Sequence, residues 1–153
     1  EEEDEVELSP RNLGILMHKA FEEADDEQHI YEAVRRMQDD GTLSPAEAEA
    51  LRGAIVRALA HPVVGEWFGG GWQHVRNENE IIVPGAGSTR RPDRVMIRGT
   101  RAVVVDYKFG NRDPGRYRRQ VSEYLGLLRQ MGYTQCEGYL WYVKLGNIEK
   151  VEG

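Results

Sequence analysis

The chain has 153 residues, 40% hydrophobic and 30% charged, with a formal net charge of −6, which is typical of one globular domain and unlike a disordered chain. No apolar run reaches the ~18 residues that a membrane-spanning helix needs, and the acidic N-terminus is unlike a signal peptide. The single cysteine, Cys136, excludes an internal disulfide framework and a four-cysteine zinc or iron–sulfur site within this chain, and it favours a reducing, intracellular setting.

The first half of the chain carries the signals of helices. Residues 1–9 are mostly acidic, and we expect them to form a linker or a frayed end before a single domain over residues 10–153. Ser9-Pro10 and Ser44-Pro45 are typical helix starts, and Glu47 adds a capping box to the second of them. The spacing of apolar residues predicts helices over residues 10–24, 26–38 and 45–60, and a short helical turn over residues 63–68.

After three glycines at residues 69–71 the apolar spacing becomes that of strands. Gly99-Thr100 predicts a tight hairpin, and the apolar run from Ala102 to Val105 fits a central strand that is covered on both faces. A helix is predicted over residues 115–131. Strands are predicted over residues 75–83, 92–98, 101–108, 138–143 and 148–151. The predicted fold class is mixed α/β: a helical N-terminal part leads into a β-β-β-α-β core without an internal repeat.

Charge is distributed unevenly along the chain. Residues 1–50 carry 16 acidic and 4 basic side chains, whereas residues 90–119 carry 10 basic and 3 acidic ones. A basic segment within an acidic chain suits one focused anionic ligand better than non-specific binding of nucleic acid over the whole surface. Mixed charge is equally typical of a solvated surface, so this pattern alone does not decide between the two.

Two aspartates and a lysine occur where the predicted hairpin would bring them together. Asp106 and Lys108 are two residues apart on one strand and share a face, and the antiparallel return places Asp93 near the end of that strand. Mg²⁺ typically takes one or two carboxylates plus substrate phosphate, and a lysine beside it can orient or deprotonate an attacking water. A surface ion pair on a strand is the alternative interpretation of the Asp-x-Lys triplet.

Further motifs give the chain a family resemblance. They are Gly14-x-x-x-His18, Asn77-Glu78, Arg91-Pro92-Asp93-Arg94-Val95, Val104-Val105-Asp106-Tyr107-Lys108-Phe109-Gly110 and Tyr117-x-x-Gln120-x-x-x-Tyr124. With these motifs the chain resembles the RecB-family nucleases of the PD-(D/E)XK superfamily, in particular the C-terminal nuclease domain of RecB/AddA-type (UvrD/Rep-like) helicase–nucleases. The resemblance covers residues 13–143. It implies a restriction-endonuclease-like core, in which helices flank a central mixed sheet.

The resemblance also implies a role for each matching residue. The implied metal ligands are His18, Asp93, Asp106 and the carbonyl group of Tyr107. Lys108 is the implied catalytic lysine, and Gln120 and Tyr124 belong to a helix motif beside the active site. From the residues alone, Tyr124 would be a core residue and Gln120 a solvent-exposed one.

Three further predictions concern additional acids, other histidines and DNA. Glu78 resembles the family's acidic residue on the first core strand, although Glu80 projects to the same face and stays an alternative. The other histidines match no motif; they are His29, His61 and His74. The residues expected to bind DNA are Arg94, Arg116 and Arg119, of which Arg94 could instead pair with a carboxylate.

The implied function is that of a Mg²⁺-dependent deoxyribonuclease, with Mn²⁺ able to substitute, which processes DNA ends exonucleolytically in double-strand break repair and recombination. The implied partners are single-stranded or end-containing DNA, a helicase domain in a longer chain of which this is a fragment, and a second helicase–nuclease subunit, in a prokaryotic cytoplasm. Neither glycine-rich segment has the lysine and helix context of a phosphate-binding loop, so no ATP site is predicted. The alternative is a catalytically silent nuclease-fold module that binds DNA or a helicase partner.

Overall fold

Helices make up the first part of the chain, and a sheet with one long helix makes up the second. The computed structural model describes residues 8–77, 81–82, 89–90, 92–108, 114–143 and 146–152. Contacts divide the chain into two units, Glu1–Gly70 and Gly71–Gly153. Among the helices in these ranges, none combines the length and the apolar character needed to cross a membrane.

The described part of the helical unit contains four helices, two of which, α1 and α3, start after the predicted capping residues Ser9 and Ser44. They are α1 (Pro10–Phe21), α2 (Glu27–Asp39), α3 (Pro45–Leu59) and α4 (Pro62–Trp67). Ser44 and Glu47 exchange the two hydrogen bonds of a capping box, as predicted. The first helix ends at Phe21 rather than at residue 24, because Asp26 has an extended backbone and accepts a hydrogen bond from the N–H of His29 as the N-cap of α2.

The core of the helical unit is formed by the apolar faces that the sequence predicted. Ile30 and Val34 of α2 and Leu51 and Ile55 of α3 are fully buried. The aromatic rings of Phe21 and Phe68 stack with their centroids 5.3 Å apart. These contacts hold α1, α2 and α3 together as one helical cluster.

The second unit is built on a five-stranded mixed sheet. Its strands are β1 (His74–Asn77), β4 (Arg94–Arg98), β5 (Arg101–Lys108), β6 (Gln135–Tyr142) and β7 (Asn147–Val151), in the order β1-β4-β5-β6-β7. Only β5 and β6 are parallel; the other neighbours are antiparallel. Two short strands, β2 (Ile81–Ile82) and β3 (Thr89–Arg90), pair with each other in a separate sheet. The predicted mixed α/β fold is confirmed.

The predicted strand over residues 75–83 is wrong as a single strand. β1 leaves the five-stranded sheet at Asn77, which lies opposite Arg94, whereas Ile81 and Ile82 belong to the two-stranded sheet. Pro92 lies two residues before β4 begins at Arg94, and proline has no N–H to donate to a neighbouring strand. Residues 84–88, whose Pro-Gly-Ala-Gly-Ser sequence predicts a turn, lie outside the described residues.

Helix α5 (Pro114–Gln130) connects β5 to β6 and packs on one face of the sheet. Val121 and Leu125 approach β6 at Gly138, where a Cβ atom would lie only 2.5 Å from Val121 Cγ1 and 2.9 Å from Leu125 Cδ1. The missing side chain of Gly138 therefore allows this close approach of helix and strand. The buried cluster between α5 and the sheet comprises Val95, Ile97, Ala102, Val104, Val121, Tyr124, Leu125, Leu128, Leu140, Tyr142 and Val151.

Candidate active site

Two carboxylates lie side by side where β4 begins and β5 ends. The hairpin register pairs Arg94 with Val105, which brings Asp93 next to Asp106. The N–H of Asp93 donates to Asp106 Oδ1 at 3.2 Å, and the N–H of Tyr107 donates to Asp93 Oδ2 at 2.7 Å. Each carboxylate is thus held by a backbone group of the other segment, and the predicted approach of Asp93 to the end of β5 is confirmed.

The ammonium group of Lys108 lies beside the carboxylate of Asp106. Side chains alternate along β5, and Ala102 and Val104 face α5 in the buried cluster, so Asp106 and Lys108 project to that same face. Lys108 Nζ lies 3.8 Å from Asp106 Oδ2, and the Lys108 and Asp106 side chains are 17% and 5% exposed. The prediction that these two residues share a face is confirmed.

The electrostatics of this site favour a bound cation. Burial, followed by repulsion from the charge of Asp93, raises the pKa of Asp106 to about 6, and the charge of Lys108 only partly opposes the shift. In the described part of the chain, no three His, Cys, Asp or Glu side chains come together as a metal site. A buried carboxylate pair nevertheless fits Mg²⁺, which usually takes one or two carboxylates and fills its remaining positions with water and phosphate.

The residue between Asp106 and Lys108 has a structural side chain. The Tyr107 ring points to the opposite face of β5 and contacts the ring of Trp141 edge-on, with centroids 5.6 Å apart. Burial raises the pKa of the Tyr107 hydroxyl, and the nearby charge of Arg94 only partly opposes the shift. The hydroxyl therefore stays protonated. The contribution of Tyr107 to the site is its backbone N–H, which donates to Asp93. Metal binding by the Tyr107 carbonyl stays a prediction.

The expectation that Arg94 contacts DNA is corrected by its burial. Its side chain is 0% exposed, and its Nη1 donates to Asn77 Oδ1 at 3.2 Å on the opposite face of the sheet from Asp93. A phosphate outside the protein cannot reach a guanidinium in this position. Arg94 instead joins β4 to β1 from within the fold.

Helix α5 carries four of the residues singled out in the sequence. Tyr124 is 5% exposed and lies in the buried cluster, which agrees with the interpretation of its side chain as a core residue. Gln120 is half-buried one turn earlier, and Arg116 and Arg119 are exposed. The two arginines are three residues apart and lie on neighbouring parts of the helix surface.

Two predicted residues remain to be placed relative to the carboxylates. His18 belongs to α1 in the helical unit, where its Nδ1 lies 3.8 Å from Glu22 Oε2. Glu78 and its alternative Glu80 lie outside the described residues. Their roles in metal binding stay predictions.

One neighbour of the lysine could not be predicted from the sequence. The Lys108 ammonium lies 4.0 Å from the centroid of the Tyr117 ring, on the first turns of α5. Tyr117 was part of the helix motif, but it was given no role there. Only the return of α5 onto the sheet brings residues 108 and 117 together, so strand periodicity offered no signal for this contact.

Comparison with known proteins agrees with this geometry. The chain matches the family model of the PD-(D/E)XK nuclease superfamily over residues 1–153, its entire length. A search of the curated proteins gave no match.

Proposed function

The chain belongs to the PD-(D/E)XK nuclease superfamily, and on that premise we propose that it is a Mg²⁺-dependent deoxyribonuclease. Members of the superfamily generally hydrolyse phosphodiester bonds with divalent metals. The observation that carries the proposal is the hydrogen bonding that holds the two acids together, from the N–H of Asp93 to Asp106 and from the N–H of Tyr107 to Asp93, with the Lys108 ammonium 3.8 Å from the Asp106 carboxylate. This set matches the chemistry that metal-assisted phosphodiester hydrolysis requires.

The proposed mechanism assigns a task to each group. Asp93 and Asp106 would hold the metal, with the carbonyl of Tyr107 and the imidazole of His18 as further ligands. When bound, Mg²⁺ would neutralise the carboxylates and polarise the phosphate. Lys108 orients the attacking water and offsets charge on the phosphate, so that attack proceeds in line with the leaving 3′ oxygen.

We further propose a narrower role, which rests on the motif resemblance of the sequence. The chain would be the nuclease domain of a helicase–nuclease that processes DNA ends during recombinational break repair. A helicase domain in the same longer chain and a second helicase–nuclease subunit would be its partners. Tethering to a motor raises the effective concentration of the nuclease at DNA, which compensates for weak binding by the domain itself.

A silent module that only binds DNA or a helicase is the alternative function. Such a module gains nothing from clustered carboxylates, because they repel both each other and the phosphates of DNA. Burial and, after it, the charge of Asp93 raise the pKa of Asp106. The paired acids therefore favour catalysis over binding alone.

A nuclease assay on linear and circular single-stranded DNA tests the proposed function. We expect cleavage with Mg²⁺ or Mn²⁺ and none with Ca²⁺, because the longer and looser bonds of Ca²⁺ misplace the water. Cleavage of linear DNA alone indicates an exonuclease, and cleavage of both forms indicates an endonuclease. DNA binding without cleavage under every metal condition would support the silent module instead.

Replacing Arg116 and Arg119 by alanine is expected to weaken DNA binding and to make it less sensitive to salt. Each lost phosphate contact lowers the slope of log affinity against log salt by about 0.7 for single-stranded DNA. Binding is measured over a salt series in the Asp106→Asn background, which prevents cleavage. Arg129→Ala is the matched control, because Arg129 is an exposed arginine in the last turn of the same helix. An equal loss of DNA affinity in the control, or no loss of affinity in the double variant, would contradict the proposal that Arg116 and Arg119 bind DNA.

A further inference from the structure

The Lys108 ammonium lies between two groups that attract it. Its Nζ is 3.8 Å from Asp106 Oδ2 and 4.0 Å from the centroid of the Tyr117 ring. We propose that Tyr117 is a positioning residue, whose ring holds the Lys108 ammonium and keeps it from closing onto the Asp106 carboxylate. This inference rests on the proposed function, since it concerns the lysine that would act in cleavage.

The distance to Asp106 is the first argument for this role. A charge-assisted hydrogen bond between an ammonium and a carboxylate is typically ~2.7–2.9 Å long, whereas the Lys108–Asp106 pair is 3.8 Å apart. Opposite charges in a largely buried site attract strongly, and a competing attraction accounts for the longer distance. The π face of a tyrosine within about 6 Å of a cation supplies one, and it is stronger where water is excluded.

The second argument is that the Tyr117 ring is fixed from several sides. The ring is partly buried and packs against the cluster beneath α5. The next residue, Arg118, forms an ion pair with Glu149 of β7, which ties the first turns of α5 to the sheet. One turn later, the close approach of Val121 to Gly138 fixes the distance between α5 and β6. A ring held in this way needs no rearrangement before it contacts the lysine.

Holding the ammonium at this distance has a consequence for the metal site. A lysine in direct contact with Asp106 would occupy the carboxylate oxygens that the metal needs. Without the ring, the ammonium would move onto Asp106. Metal affinity would then fall, and the attacking water would be misplaced. Contacts of this kind are worth a factor of about 2 to 30 in rate.

The test compares Tyr117→Phe, which keeps the aromatic ring, with Tyr117→Leu, which does not. We expect Tyr117→Phe to cleave DNA like the wild type. Tyr117→Leu should lower kcat by about 2- to 30-fold and raise the Mg²⁺ concentration for half-maximal rate, with KM for DNA unchanged. Tyr133→Leu is the matched control, because Tyr133 packs against the same buried cluster. Equal losses in Tyr117→Leu and Tyr133→Leu, or in Tyr117→Leu and Tyr117→Phe, would overturn the proposal.

A readout that is independent of cleavage separates this proposal from the proposed function. The ε protons of Lys108 should show an upfield ring-current shift by NMR in the wild type and in Tyr117→Phe, and lose it in Tyr117→Leu. Absence of metal-dependent cleavage in the wild type would refute the proposed function. Cleavage by a wild type whose Lys108 protons are unshifted would refute the role of Tyr117 alone.

Discussion

Asp106→Asn and Lys108→Met are each expected to lower the rate of DNA cleavage by about 10²–10³-fold while the protein keeps its fold. The asparagine retains the size of Asp106 and an oxygen that can accept the hydrogen bond from Asp93, but it removes the charge that a metal requires. The methionine retains the apolar stem of Lys108 and removes the ammonium. Single-turnover cleavage at saturating Mg²⁺, with circular dichroism to verify folding, measures both effects.

Lys150→Met is the matched control for the lysine variant. Lys150 is exposed on β7, so its loss removes the same charge at a different part of the sheet. We expect this variant to cleave at the wild-type rate. A wild-type rate in Asp106→Asn or in Lys108→Met would mean that the carboxylates and the lysine are a structural ion pair.

Asp106→Asn is also expected to stabilise the metal-free protein, by ~1–3 kcal/mol at about pH 7.5. The pKa of Asp106 is raised from 3.8 to about 6 in the folded protein, so Asp106 takes up a proton on folding at pH values between these two. The ionised carboxylate therefore lowers the stability of the fold, and it does so fully at pH values above the pKa of Asp106 in the folded protein. This loss of stability disappears as the pH falls below the pKa of Asp106 in the unfolded chain. Thermal unfolding of wild type and variant over a pH series, in the presence of EDTA, measures the difference.

The stabilisation by Asp106→Asn should vanish near pH 4, whereas Glu23→Gln, an exposed control in the helical unit, should change stability little at either pH. Mg²⁺ or Mn²⁺ should raise the melting temperature of the wild type more than that of Asp106→Asn. His18→Ala should reduce this gain without removing it, because one imidazole supplements two carboxylates. A gain from Asp106→Asn that is independent of pH would contradict the raised pKa of Asp106.

The carboxylate pair could be predicted because it depends on local geometry alone. A two-residue turn at Gly99 and Thr100, with Gly99 at a φ of 59°, fixes the hairpin register. Alternation along β5 then decides the face of Asp106 and Lys108. Few residues separate the parts of this site, so the sequence pattern contains nearly all of the necessary information.

The burial of Arg94 and the role of Tyr117 could not be predicted in this way. Arg94 follows Asp93 in a basic segment, where a solvent-exposed arginine is the ordinary expectation. Its partner Asn77 comes from β1, so only the assembled sheet shows that Nη1 of the guanidinium donates a hydrogen bond inside the protein. The strand prediction over residues 75–83 failed for a related reason, because only the assembled sheets show that residues 81–82 pair with β3 and not with β4.

The connection between β5 and β6 also orders the assembly of the site in time. Asp93 and Asp106 lie on one hairpin, and hairpins of this kind close in about 1–10 μs. The ring of Tyr117 is fixed only when α5 has docked against β6, and a parallel pairing of that sort needs the whole crossover between Lys108 and Gln135. On a chain leaving the ribosome, the two acids can therefore meet while the helix that restrains the lysine is still being synthesised.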